Sequence, residues 1–240
     1  MAELVTPEAP TLPWPRILRQ SWLNLTFLHW AVEPASIAHL YPPGTEPDVF
    51  DGRSYVGLVP FQMSLYGRFL ETNVRLYSVD ATGRRGVVFL SLDTDRPAMV
   101  AAGRWLVGVP YRWAAMTYRQ DGDRHRYASV LRRPKVAASI AVEVEVGGPL
   151  ACGPLEHYMT ARWGAHVVRG GRTWYMPNEH PACVLRRAEL VSLVESGLFA
   201  SVGLGDLGAR PPDHVAFSSG VTARFGRPVP ATTPRAQRAS

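Results

Sequence analysis

Between Ile140 and Val146 the chain alternates without a break. Ile140, Val142, Val144 and Val146 are apolar, while Ala141, Glu143 and Glu145 between them are small or charged. Successive side chains of a strand point to opposite faces, so this period of two describes a strand half-buried against a core. The same pattern recurs along the sequence. Leu23, Leu25 and Phe27 alternate with Asn24 and Thr26, and residues 54–61, 69–79, 86–93, 172–176 and 215–225 read as further strands. Residues 111–119 and 126–132 flank Asp121-Gly122, a strong hairpin turn. The 21 Gly and 21 Pro punctuate these short segments. Helices are few. The sequence predicts them over 34–40, over 97–107, from Pro154 onward with a stripe of Leu155, Tyr158, Met159 and Trp163, and over 188–198 with Leu190, Val191, Val194 and Leu198 inward. This pattern implies an α+β fold, with a large antiparallel β-sheet curved into a barrel or cone and a few packed helices.

The chain has 240 residues and shows neither an internal repeat nor a linker, so one domain over 14–226 is expected. A Pro-rich extended arm, 1–13, precedes it. The tail, 227–240, lacks apolar periodicity and is expected to be disordered. With 46% hydrophobic and 19% charged residues, a sizeable core can form. The longest apolar run, 87–92, is strand-sized, so no membrane association is expected. The first residues lack the basic and apolar segments of a signal peptide. Two cysteines, Cys152 and Cys183, are too few for a disulfide framework, and a cytoplasmic location follows as the expectation. The net charge is +6, yet of the 26 basic residues only Lys135 is a lysine, and the arginines are scattered. A solvated surface explains them, and no nucleic-acid partner is expected. Self-association as a homo-oligomer is left open.

On the strand 69–79, Glu71, Asn73, Arg75 and Tyr77 share one face, and Leu70, Thr72, Val74 and Leu76 share the other. The polar face either meets solvent or faces the interior of the curved sheet and lines a wet cavity. Downstream lies Gly103-Arg104-Trp105-Leu106-Val107-Gly108-Val109-Pro110-Tyr111-Arg112. The two segments together resemble the active-site region of acetoacetate decarboxylases, where a G-R-x-x-x-G-x-P run leads into a lysine pair that supplies the Schiff base. Tyr111 and Arg112 stand at the lysine positions here. A longer resemblance joins Trp22-Leu23-Asn24-Leu25-Thr26-Phe27-Leu28-His29-Trp30, Gly57-Leu58-Val59-Pro60-Phe61, Glu71-Thr72-Asn73-Val74-Arg75, Val88-Phe89-Leu90-Ser91-Leu92-Asp93 and Pro110-Tyr111. In this order the blocks are similar to the YqjF-like family, which is grouped with the acetoacetate decarboxylase-like superfamily. The match runs from about Trp14 to about Phe225. It implies the same curved-sheet architecture and places Glu71 at the glutamate that projects into the decarboxylase site.

A phenol cannot condense to an imine, and a guanidinium stays protonated. The expected function is therefore binding of a small carbonyl or carboxylate ligand, without acetoacetate decarboxylation. If the protein is an enzyme, it is a lyase, hydrolase or isomerase using acid–base chemistry, with Glu71 as acid or base and Arg104 as anion clamp. Arg104 could instead hold Glu71, or fix the corner ahead of Pro110. Tyr111 could donate a hydrogen bond and Arg112 could bind an anion, but spacing does not say which faces inward. Asn73, Arg75 and His29 complete the expected ligand-binding set, although a histidine in the position of His29 is more often a satisfied structural residue. His180 reads the same way. No metal or cofactor is expected: the 7 histidines lack ligand spacing, and no phosphate-binding loop or nucleophile elbow is present. Lys135 is expected at the surface. The rival reading is a non-catalytic structural or protein-interaction domain with a vestigial pocket. A cavity where Glu71 meets an arginine favours the first reading, and an interior filled by apolar side chains favours the second.

Overall fold

Thirteen strands hydrogen-bond into one sheet that closes on itself, in a computed structural model that describes residues 5–12, 14–132 and 137–231. In chain order the strands are β1 (Leu18–Val32), β2 (Thr45–Pro47), β3 (Ser54–Ser64), β4 (Arg68–Asp80), β5 (Arg85–Thr94), β6 (Tyr111–Asp121) and β7 (Arg124–Leu131). They continue as β8 (Ser139–Pro149), β9 (Gly164–Arg169), β10 (Arg172–Glu179), β11 (Leu185–Ser196), β12 (His214–Phe225) and β13 (Val229–Pro230). Three short helices interrupt them: α1 (Pro34–Ile37), α2 (Pro97–Ala102) and α3 (Pro154–Thr160). Each begins with proline, whose fixed φ suits the first helical turn. The ring runs β5-β6-β7-β8-β11-β12-β1-β3-β4, and β4 pairs back onto β5. β9, β10 and β13 extend outward from β5, and β10 also touches β12. Most pairings are antiparallel, but β5 meets both β6 and β9 in parallel.

The ring interior is largely apolar. Leu28 and Trp30 of β1, Val56 and Leu58 of β3, Val74 and Leu76 of β4, and Val142 and Val144 of β8 form one buried cluster with Phe217 of β12. Strands from opposite sides of the ring meet in it, so burial of their inward faces is what closes the sheet. Phe199 packs edge-on against Trp30, with ring centres 5.1 Å apart, and plugs one end. On β4 the inward face is Thr72, Val74 and Leu76, because Leu58 pairs with Val74 and Val56 with Leu76. The face of Glu71, Asn73, Arg75 and Tyr77 therefore points away from the ring interior. The expectation that it lines the inside of the curved sheet is corrected: both faces of β4 are buried, and helices and neighbouring strands cover the polar one from outside.

Residues 188–198 do not form the expected helix; they belong largely to β11. Its pairing with β8 shifts register between Leu190 and Ser192. That irregularity turns two consecutive residues, Val191 and Ser192, outward and leaves Leu190 and Leu193 inward. The resulting spacing of three imitates a helix in the sequence. Trp163 likewise lies beyond the end of α3, where it meets the His180 ring at 4.7 Å. β9 was not legible beforehand. Of the expected arm, Leu12 is buried, and its N–H donates to Glu179 Oε2 at 3.2 Å. Of the expected tail, Val229–Pro230 pairs with β10, while 232–240 lie outside the described residues, as does Lys135. Among the described residues no helix is long and apolar enough to cross a membrane.

Candidate functional site

Strand alternation decides which of the two motif residues meets Glu71. Leu92 of β5 pairs with Tyr111, and Asp93 pairs with Arg112. Asn73 pairs with Leu92 and Thr72 with Asp93, so Tyr111 shares the Glu71 face and Arg112 shares the ring-interior face. The Tyr111 hydroxyl donates to Glu71 Oε2 at 2.6 Å. Arg112 instead donates from Nε to Asp93 Oδ1 at 2.6 Å and from Nη1 to Ser201 Oγ at 2.8 Å, on the segment that plugs the ring. Its third nitrogen, Nη2, is buried without a partner.

Gly103, the first residue of the motif, explains how Tyr111 gets into place. A Cβ at position 103 would lie 2.2 Å from Tyr111 Cδ2. Only glycine lets the π turn that follows α2 sit directly on that ring. The next residue, Arg104, is exposed and donates from Nε to the Tyr111 carbonyl at 2.6 Å. It forms no ion pair with Glu71 among the described residues. Arg104 ties the helix-to-strand corner by a backbone hydrogen bond, and Glu71 is met by a phenol where an arginine was one expectation.

Glu71 is almost fully buried. Burial pushes its carboxyl up to about 7; the Tyr111 and Asn73 side chains offset part of that rise, and the charge of Asp93 adds to it. Burial, reinforced by the Glu71 charge, drives Tyr111 well above the ordinary phenol value, so Tyr111 acts here as a donor and keeps its proton. Asn73 is buried too, and its Oδ1 has no partner. A protonated Glu71 or a ligand hydroxyl or amide could satisfy that acceptor.

Arg75, two residues further along the same face, donates from Nε and Nη2 to the Tyr77 hydroxyl at 3.2 and 3.0 Å, and from Nη2 to the Met159 carbonyl at 3.2 Å. No carboxylate pairs with it among the described residues. Two guanidinium groups approach the Tyr77 ring, Arg75 at 5.4 Å and Arg162 at 4.8 Å from its centre. Arg162 is anchored in turn by Asp48, both of whose carboxylate oxygens also accept from Arg85 Nη1 at 2.8 Å. His29 is fully buried, and both ring nitrogens are engaged, Nε2 with Tyr77 at 2.6 Å and Nδ1 with His214 at 3.2 Å. His180 is buried in contact with Trp22 and Trp163.

The structure thus gathers Glu71, Asn73 and Tyr111, with Arg75 and His29 further along the face, and separates Arg104 and Arg112 from them. Sequence reasoning missed His214, Glu156 and Arg162. Their only signal was tertiary, since His214 faces His29 across the β1–β12 register. A cavity of about 320 Å³ opens where β6 and β9 part along β5, lined by Tyr41, Phe89, Val109 and His166 among others. A smaller one of about 30 Å³ lies among Cys152, His157, Trp163 and Cys183. Neither is lined by Glu71 or Arg75.

YqjF of Bacillus subtilis, itself an uncharacterized protein, is 28% identical over 186 residues, which cover 72% of this chain and 76% of that one. Among solved structures, an acetoacetate decarboxylase-like enzyme from Sphingomonas wittichii superposes with a TM-score of 0.62 at 12% identity, covering 89% of this chain and 93% of the other. The enduracididine biosynthesis enzyme MppR, complexed with a condensation product of pyruvate and imidazole 4-carboxaldehyde, superposes at 0.61 with 14% identity, covering 92% and 91%. These likenesses establish an acetoacetate decarboxylase-like fold. Residues 19–222 match the family DUF2071, described as an uncharacterized conserved protein, and the chain belongs to that family.

Proposed function

We propose that the face carrying Glu71, Asn73, Arg75 and Tyr111 binds a small carbonyl or carboxylate compound and handles its protons by acid–base chemistry, without a Schiff base. The observation that carries this reading is a buried carboxyl, raised toward neutrality by its burial, on the same strand face as a guanidinium that has no carboxylate partner among the described residues. A general acid or base works best when its proton affinity matches the surrounding pH. A guanidinium without an anion is suited to receive one. Tyr111 and Arg112 replace the lysine pair of the decarboxylases, so the reaction would be a proton transfer or an elimination assisted by Glu71. MppR, a neighbour in fold, has been solved in complex with pyruvate and with a condensation product of pyruvate. We place the protein in the bacterial cytoplasm on this reading.

The test is titration with pyruvate. Glu71→Gln should keep the fold and change the pH dependence of binding, and Arg75→Met should weaken binding at least tenfold. Equal affinity in wild type and Arg75→Met would sink the proposal. One observation favours the second reading, a non-catalytic domain with a vestigial site: much of the ring interior is filled by apolar side chains. Under that reading no small carbonyl or carboxylate compound binds to the wild type.

A further inference from the structure

Three nitrogens from two side chains meet at the hydroxyl oxygen of Tyr77, which is wholly buried. Arg75 reaches it with Nε and Nη2, and His29 Nε2 stands 2.6 Å away. A guanidinium can only donate, so the phenol's own proton must go to His29 Nε2. A neutral imidazole that accepts at Nε2 carries its proton at Nδ1. Burial, with the charges of His214 and Arg75 adding to it, holds His29 well below the ordinary imidazole value, so the neutral form is the relevant one. His29 Nδ1 therefore donates to His214 Nδ1 across 3.2 Å. His214 must then carry its own proton on Nε2, which stands 3.6 Å from Glu156 Oε1. Glu156 is fixed at the start of α3, where its Oε2 accepts the Gly153 N–H at 2.7 Å. Every hydrogen bond points the same way, from the Arg75 guanidinium to His214, whose Nε2 stops 3.6 Å short of the Glu156 carboxylate without bonding it.

Gly57 lets the crossing exist. It pairs with both His29 and Arg75, and a Cβ there would press on Arg75 Cγ at 3.2 Å and His29 Cδ2 at 3.3 Å. The consequence for Arg75 is geometric. Nε is committed to Tyr77, and Nη2 is committed to Tyr77 and to the Met159 carbonyl. Only Nη1 has no partner among the described residues. The edge of the guanidinium that would grip two oxygens side by side is already taken.

We propose that Tyr77, His29 and His214 are positioning residues, a hydrogen-bond relay of one fixed polarity that turns Arg75 so that Nη1 alone receives a single carboxylate or carbonyl oxygen. This rests on the reading of the Arg75 face as a ligand site. His214 matters in the relay as an acceptor: an asparagine side-chain oxygen can replace its Nδ1, whereas leucine cannot.

Two measurements test it on the full-length protein. Nitrogen-15 NMR of the histidine rings should find His29 protonated on Nδ1 and His214 on Nε2. The opposite tautomer at His29 overturns the relay whatever the variants do. In pyruvate titrations, His214→Asn should bind within about twofold of wild type, while His214→Leu and Tyr77→Phe should bind about tenfold more weakly. If Arg75→Met loses pyruvate but His214→Leu binds as wild type does, the relay is wrong and the ligand site stands. If Arg75→Met itself binds normally, the underlying site is wrong. Near-ultraviolet circular dichroism checks that each variant is folded, and the tautomer measurement on the wild type decides the relay should His214→Leu fail to fold.

Discussion

The Tyr111 hydroxyl donates to the Glu71 carboxylate across 2.6 Å, with both residues buried. Their two strands are not neighbours in the sheet: β5 lies between β4 and β6 and pairs with each. The contact therefore reaches across β5 and exists only because Tyr111 projects onto the outer side of the ring. It gives the ionised form of Glu71 one strong donor, which is too little to offset burial.

Glu71 should make the protein less stable as the pH rises. Its carboxyl stands at about 7 in the fold, against 4.5 for an unperturbed glutamate. Between those values the unfolded chain has released the proton and the folded chain has kept it. Stability is thus fully retained in acid below the unfolded value and falls until the pH passes the folded value, a change of roughly 3 kcal/mol. Glu71→Gln removes this contribution while preserving shape. Urea unfolding from pH 5 to pH 8 should show the variant gaining on the wild type as the pH rises. Parallel curves would mean that Glu71 ionises normally.

Gly103→Ala should expel the Tyr111 ring, because the added methyl would sit 2.2 Å from Cδ2. Forced overpacking of this kind costs about 1–3 kcal/mol. The variant should melt lower, and Glu71, having lost its phenol donor, should titrate at a still higher pH. A variant with wild-type melting and an unmoved Glu71 titration would show that the turn yields freely.

Arg112 and Asp93 should behave as an architectural pair. Burial pushes Asp93 up, and the Arg112 bond and charge pull it back only in part. Removing one partner strands the other at a site of low dielectric, so Arg112→Met or Asp93→Asn should each cost roughly 3–5 kcal/mol in urea unfolding. Replacing both, as Arg112→Met with Asp93→Asn, should cost less than the two single losses together, because no charge is left unpaired. An additive double variant would rule out the pairing as the source of the effect.

Acetoacetate and borohydride together should leave the mass of the chain unchanged. Imine formation needs an amine with an accessible neutral form. Tyr111 has no amine, and the Arg112 guanidinium offers no neutral amine to condense with a ketone. Intact-mass spectrometry reads the outcome, and an adduct mapped to Lys135 would overturn both this expectation and the surface reading of that residue.

Much of the fold was legible because period-two alternation is a local property of a strand. The 139–149 strand, the hairpin at Asp121-Gly122 and the proline-led helix starts all follow from residues a few positions apart. β11 was misread because a register shift within its pairing with β8 changes which residues face inward, and that shift depends on the partner strand. The site divides the same way. That Glu71, Asn73, Arg75 and Tyr77 share one face follows from strand alternation alone. The rest came from the closed sheet: this face lies outside the ring, Tyr111 and not Arg112 meets Glu71, Arg104 binds a backbone carbonyl, and His29 is joined to His214 across 185 residues of chain. The inside and outside of a closed sheet are set by which apolar face the whole ring buries together, and no single strand carries that information.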